Sequence, residues 1–150
     1  MVAVSEKTAT KREAVAEGFV AVPRHVFERI AENDVKKGDV LTVAQLAGIM
    51  GAKQTPNLIP LCHPLPLTFV DVKLNLHGTP LAADPSDWAH VHITSTVQCV
   101  GVTGVEMEAL TAVSIAALTV YDMVKAVSPL VRVTDIRLVK KTGGKQDFSR

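Results

Sequence analysis

The stretch from Thr103 to Pro129 constrains this fold more than any other part of the chain. After Thr103 and Glu106, apolar residues follow almost without break: Ala109, Leu110, Ala112, Val113, Ile115, Ala116, Ala117, Leu118, Val120, Met123, Val124 and Val127. Thr103 and Glu106 have the spacing of a capping box, in which hydroxyl and carboxylate satisfy each other's backbone N–H groups. A long helix is therefore expected to start there, run to about Val127 and stop at Pro129. Its apolar residues lie all the way round rather than along one stripe, so it must be covered on more than one side. A single sheet covers one face only, and the remainder is expected to pack against another subunit.

Elsewhere the dominant period is two. Ala14, Ala16, Gly18, Val20 and Val22 alternate as in a half-buried strand that Pro23 ends. Pro23 can open a helix through Val26 and Ile30. A charged loop of Lys36, Lys37, Gly38 and Asp39 follows, and Thr42 with Gln45 repeats the capping-box spacing before a helix through Leu46, Ile49 and Met50. Val70, Val72, Leu74 and Leu76 read as one strand and Val91, Ile93, Ser95, Val97 and Cys99 as its neighbour, joined by a loop with Gly78, Pro80, Asp84, Pro85, Ser86 and Asp87. Val131, Val133, Ile136 and Leu138 supply a last strand before a basic, Gly-rich tail. The order strand, two helices, two strands, helix, strand is the split βαβ arrangement: an α+β, ferredoxin-like sandwich, its antiparallel sheet covered by helices, with one helix replaced by a pair. With 150 residues the chain is expected to be a single domain over 1–150, flexible at residues 1–13 and 141–150.

Composition narrows the function. At 4% aromatic residues and a formal net charge of +1, neither base-stacking platforms nor a general pull on nucleic acid or anionic membrane is expected, and anion recognition must come from local clusters. The N-terminus carries Glu6, Lys7, Lys11, Arg12 and Glu13 where a signal peptide would be apolar, so neither export nor a membrane span is expected. Cys62 and Cys99 are too few for a disulfide framework or zinc ribbon, which fits reduced thiols in a cytoplasm.

Four segments could hold chemistry. From Lys53 to Pro66, four prolines in eleven residues are expected to exclude helix and central strand, holding an extended path that fixes Lys53 and His63. A cation and an imidazole suit a phosphate or an acid/base step, and a structural connector with a satisfied histidine is the other reading. Cys62 and His63 on this segment, with His90 and His92 on one strand face, have no standard ligand spacing, so no metal site is assigned. Second, Glu106 has an ordinary role at a helix start, but Glu108, beside an apolar helix, would be costly to bury unless something cationic or hydrogen-bonding met it. Third, Asp122 and Lys125 can pair as an exposed i,i+3 salt bridge. Glu108 and Asp122 lie 14 residues apart, about 21 Å along one straight helix, too far to grip the same reacting atom. A site using both must join the start of one helix to the end of another subunit's helix, or span a long substrate. Fourth, Lys140, Lys141, Thr142, Gly143, Gly144 and Lys145 lack the spacing and following helix of a phosphate loop, and read as a basic lid or a solvated terminus.

Taken together, these segments resemble the MoaC family, the cyclic pyranopterin monophosphate synthases of molybdenum-cofactor biosynthesis. The likeness covers residues 7–20, 37–40, 53–65, 103–125 and 143–148, and the runs 61–65 and 104–110 are the most specific. It implies a cytoplasmic phosphorus–oxygen lyase that converts a cyclised dihydro-GTP to cyclic pyranopterin monophosphate and diphosphate. It also implies a hexamer built as a trimer of dimers, with active sites at subunit interfaces. The purine-derived substrate carries a triphosphate, implying an anion-binding set of Lys37, His63, Lys141 and Lys145. The resemblance gives Asp122, Lys125 and Lys53 catalytic roles and places Glu106, Met107 and Glu108 against substrate. Proton exchange between Asp122 and Lys125 would require a partly deprotonated Lys125. No resident cofactor is implied, and Mg²⁺ could enter with the triphosphate. Two departures stand out: Ala3 occupies a position where the family usually has Asp, and the loop over 78–90 is long and Pro-rich. A noncatalytic oligomeric module that binds a polyphosphate or nucleotide through the same cations is the alternative; release of diphosphate separates the two.

Overall fold

A computed structural model describes residues 1–150. The strands are β1 (Thr10–Pro23), β2 (Leu67–His77), β3 (Trp88–Gly101), β4 (Arg132–Thr142) and a short β5 (Phe148–Ser149); the helices are α1 (Arg24–Ala31), α2 (Val40–Leu58) and α3 (Glu106–Val124). All strand pairs are antiparallel in the order β2-β3-β1-β4-β5. This is the ferredoxin-like sheet with a two-residue strand added at one edge. Alternation sorts the two faces: Ala14, Ala16, Val20 and Val22 of β1 and Val91, Ile93, Val97 and Cys99 of β3 point into a core shared with α3 and α2. Such small, β-branched side chains fill the pleat and let helices lie close.

β1 begins at Thr10, so part of the segment read as flexible is paired strand, Thr10 to Glu13 facing Gly101 to Gln98. Lys141 and Thr142 likewise extend β4 against Ala14 and Glu13. Polar residues are tolerated there because those strand ends border solvent.

Two capping expectations are corrected. Asp39, not Thr42, caps α2: its carboxylate accepts from the Thr42 backbone N–H at 3.0 Å and the Thr42 hydroxyl at 2.7 Å. Val105 is the N-cap of α3 and makes no side-chain cap, so Glu106 occupies the first helical position and Glu108 the third. The helix ends at Val124 with Lys125 as C-cap, one turn short of Val127. A third correction concerns the prolines. α2 continues through Lys53 and Pro56 to Leu58, then a turn over residues 59–62, closed by the Cys62 N–H on the Ile59 carbonyl, leaves only residues 63–66 without regular structure before β2. Pro56 sits in the last turn, where its missing N–H removes one backbone bond to the turn before it and few helical bonds remain to be disturbed.

α3 is covered on two sides within the chain. Its inner side rests on β1, β3 and β4, and much of its other side is covered by α2 of the same chain, packed antiparallel. α3 is long and apolar enough to cross a membrane by length and composition, but most of it is buried as a core helix. The apolar circumference alone therefore does not require a second subunit. What stays open is a narrow stripe: Met107 and Leu118 on α3, beside Val43, Leu46 and Met50 on α2.

Candidate active site

The chemistry-bearing residues fall into two groups, one at each end of α3. At its start, α2 brings Lys53 and the 59–66 segment brings Cys62 and His63 alongside Glu106, Met107 and Glu108. Lys53 and Glu108 line one cavity of about 540 Å³ with Ile49, Pro56, Leu65 and Phe69. Cys62, His63, Glu106, Met107 and Glu108 line an adjoining one of about 310 Å³. Glu108 is 2% exposed. Burial pushes its carboxyl pKa up, its own backbone N–H bond opposes this, and the charge of Glu106 adds to the rise. The expected cost of burying that carboxylate is thus met by a shift toward the neutral acid rather than by a cation in the subunit. The Cys62 thiol is also pushed up, first by burial and then by Glu108, so it is not a poised nucleophile. His63 Nε2 lies 2.8 Å from the carbonyl oxygen of Val2, which tethers the N-terminal segment and places Ala3 beside this end of the site.

Next to this end is a polar cleft of about 400 Å³ where β1, β4 and the tail meet. Lys7, Arg12, Lys141 and Lys145 face Glu13 and Glu106 across it. Lys141 Nζ bonds Glu106 Oε1 at 3.1 Å, which fixes the lysine at the helix start. Gly143 turns the tail with φ 88°, and a Cβ there would collide with the Lys11 carbonyl, so glycine alone lets the tail close against β1. Thr10 Oγ1 donates to the Gly143 carbonyl at 2.8 Å and holds that closure. Lys7 and Arg12 were missed as site residues because their segment reads as mobile; the match of residues 7–20 to the family was the available signal.

At the other end of α3, Asp122 and Lys125 stand with Lys37. Lys125 Nζ lies 2.8 Å from Asp122 Oδ1, and Lys37 Nζ lies 2.5 Å from Asp122 Oδ2 and 3.1 Å from the Asp122 carbonyl oxygen. Lys37 is delivered by the turn ahead of the Asp39 cap of α2. Hydrogen bonds from Lys125 and then Lys37 hold the Asp122 carboxyl at about 2, and the same bond raises the Lys125 ammonium above its ordinary value. Within one subunit this pairing favours the protonated form of Lys125, opposite to the partly deprotonated form that proton exchange would require. In this arrangement Asp122 fixes the position of the Lys125 ammonium. Lys37 belongs to this end and not to the basic cleft, so one subunit divides the residues implied for anion binding.

His77, His90 and His92 share one face of the sheet, but they stack on one another and on Phe19, which His90 and His92 meet, rather than converge. His77 and His90 have ring centroids 4.8 Å apart, and His92 lies on Phe19 at 4.6 Å while its Nε2 meets Glu17 at 2.9 Å. No three His, Cys, Asp or Glu side chains stand in metal-ligand geometry. In the long loop, Asp84 pairs with Arg132 and ties the insertion to β4.

The sequence matches the model of the MoaC family over residues 1–144. It is 61% identical over 145 residues to the cyclic pyranopterin monophosphate synthase of Rhodospirillum rubrum, covering 97% of this chain and 82% of that protein. It is 56% identical over 148 residues to the enzyme of the same name from Heliobacterium modesticaldum, covering 97% of this chain and 86% of that one. Molybdenum cofactor biosynthesis protein 1 of Drosophila melanogaster is 55% identical over all 150 residues, but the chain spans only 25% of that longer protein. With the family model matched over residues 1–144 and two relatives 56–61% identical over 97% of the chain, this chain belongs to the MoaC family.

Proposed function

We propose that this chain is a cyclic pyranopterin monophosphate synthase, a lyase that converts the cyclised dihydro-GTP intermediate to cyclic pyranopterin monophosphate and diphosphate in a cytoplasm. The observation that supports it best is the placing of a four-cation cleft beside Glu106 and Glu108 at one end of α3, with a Lys–Asp–Lys cluster at the other. The cleft suits a triphosphate: Lys7, Arg12, Lys141 and Lys145 offer charge-assisted donors to its oxygens. Closing the cyclic phosphate requires attack on the α-phosphorus by a hydroxyl of the substrate. That bond forms as the bond to the leaving diphosphate breaks, and the cleft cations neutralise the charge that builds on the leaving group. Lys125, held protonated by Asp122, donates a proton during the ring opening that precedes rebuilding of the pterin; Lys53 and Glu108 hold the purine-derived end.

The two half-sites are about 21 Å apart along α3, so a complete site needs both ends brought together across subunits. The reading therefore includes self-association, with a hexamer as the assembly the family resemblance implies. Mg²⁺, where present, would arrive as the counter-ion of the substrate. The test is to supply the cyclised intermediate and follow diphosphate and cyclic pyranopterin monophosphate together, beside Lys125→Ala. Both products from the wild type and neither from the variant are expected. Saturable binding with no diphosphate would overturn the reaction, and a fully active Lys125→Ala would overturn the role of that residue.

A further inference from the structure

The sheet face turned away from α2 and α3 carries three imidazoles that the proposed reaction does not use. His90 and His92 are two residues apart on β3, so both project from that face, and His77 of β2 is the in-register partner of His90. The same cross-strand row continues through Ala21 of β1 to Arg132 of β4. The loop joining β2 to β3 returns over this row: the Thr79 carbonyl accepts from His90 Nδ1 at 2.8 Å, and Asp84 pairs with Arg132.

The rings are stacked, yet their separations are close to those of a ligand set. With metal–nitrogen bonds of about 2.0–2.1 Å, three imidazoles around a tetrahedral ion have ring centroids about 5 Å apart. His77 and His90 are 4.8 Å apart, and His77 and His92 are 6.3 Å apart. Rotation of the rings out of the stack, with the strands in place, meets the difference. Two of the three imidazoles also have the outer partner that a ligating histidine needs. A carbonyl can only accept, so the Thr79 contact keeps the proton of neutral His90 on Nδ1 and leaves the lone pair on Nε2. His92 Nε2 meets Glu17 at 2.9 Å, Glu17 is held in turn by Arg137 at 2.8 Å, and the lone pair is left on His92 Nδ1. The loop supplies an independent observation. The Asp84 side chain is 5% exposed, and its Oδ2 is buried with no hydrogen-bond partner. Such an oxygen is costly unless a donor or a cation meets it.

We propose that His77, His90 and His92 form a binding site for one tetrahedral divalent transition-metal ion of the zinc class, beneath the loop over residues 78–87. Glu17 orients His92, Thr79 orients His90, and the Asp84 carboxylate balances the charge of the ion. The donor set selects the ion: imidazole nitrogens suit Zn²⁺, whereas Mg²⁺ and Ca²⁺ take oxygen ligands. Bound there, the ion fastens β2, β3 and their loop into one unit, so the site is structural and stands apart from the lyase chemistry.

Binding is read without substrate. Chelator-stripped full chain, in a Cys62→Ser background that removes the thiol beside His63, is titrated with Zn²⁺ by calorimetry and with Co²⁺ by visible absorption. One ion per chain, a Kd of about 1 µM or tighter and the intense absorption of tetrahedral cobalt are expected. Glu17→Gln, which removes only an outer partner, should weaken binding about 10- to 100-fold, and His77→Asn or His90→Gln by more than that. His77 is exposed, so His77→Asn should keep the metal-free Tm, and Zn²⁺ should raise the Tm of the parent but not of this variant. No binding below about 100 µM overturns the site. Equal affinity in His77→Asn puts the ion elsewhere and overturns it too, as does an octahedral cobalt spectrum. Diphosphate release should be the same with and without His77→Asn, and a loss there would overturn the separation from the lyase chemistry.

Discussion

Gly48→Ala tests whether the close approach of α2 to α3 positions both half-sites. In an unhindered helix, Gly to Ala stabilises by about 1 kcal/mol through lower backbone entropy in the unfolded chain. Here a Cβ on Gly48 would stand 2.9 Å from the Ala112 carbonyl oxygen, 3.1 Å from Val72 Cγ1 and 3.2 Å from Ala116 Cβ. Two of those neighbours belong to or sit directly on the α3 backbone and cannot swing aside. Ordinary contact requires α2 to retreat by roughly 0.5 Å, and overpacking of this kind costs about 1–3 kcal/mol. The sign therefore reverses, to a net loss of about 1 kcal/mol, or some 2–4 °C in Tm for a chain of this size. Because α2 carries Lys53 and its Asp39 cap lies two residues after Lys37, the same retreat loosens both ends of the site. Misplacement by 1 Å costs on the order of 100-fold, so a loss on the order of tenfold in kcat is expected. Thermal unfolding by circular dichroism and initial rates of diphosphate release measure the two effects. A higher Tm with unchanged kcat would refute the reasoning.

Three further outcomes follow from the site. Lys141→Met removes a charge-assisted donor worth about 1.5–3 kcal/mol, so inhibition by diphosphate and KM for the triphosphate should each weaken about 10- to 100-fold; equal inhibition constants would place the triphosphate elsewhere. Asp122→Asn removes the carboxylate that raises Lys125, so the alkaline limb of the pH–rate profile should move to lower pH, and a fixed limb would deny Lys125 the proton-donor role. Because burial raises Glu108 in the folded subunit, its favourable contribution to stability is complete below the ordinary glutamate pKa and is lost as pH rises through the folded one. Glu108→Gln should therefore match wild type in Tm at acid pH and exceed it at pH 8; a pH-independent difference would refute the shift.

The alternation of Ala14 to Val22 and Val91 to Cys99 and the long apolar run after Glu106 fix which faces are buried, and from them the order of strands and helices follows by period alone. The distance between Glu108 and Asp122 is equally local: helical rise over 14 residues separates the two half-sites whatever the rest of the chain does. Local rules misplaced what depends on competition between partners. Thr42 and Thr103 have capping spacing, but Asp39 reached the α2 start first, and Val105 opened α3 where the acids answer to Lys141 and to burial instead. Pro56 reads as a helix breaker, and only packing of α2 on α3 shows that the helix can finish its last turn through it. Tertiary structure alone decides that α2 covers α3, that Lys7 and Arg12 join the tail lysines in one cleft, and that Asp122 holds Lys125 protonated. The first two depend on residues far apart in sequence meeting at a few ångströms, as does the contact of Lys37 with Asp122, and periodicity along the chain contains no distance between such residues; the Asp122–Lys125 pair itself was legible as an i,i+3 spacing.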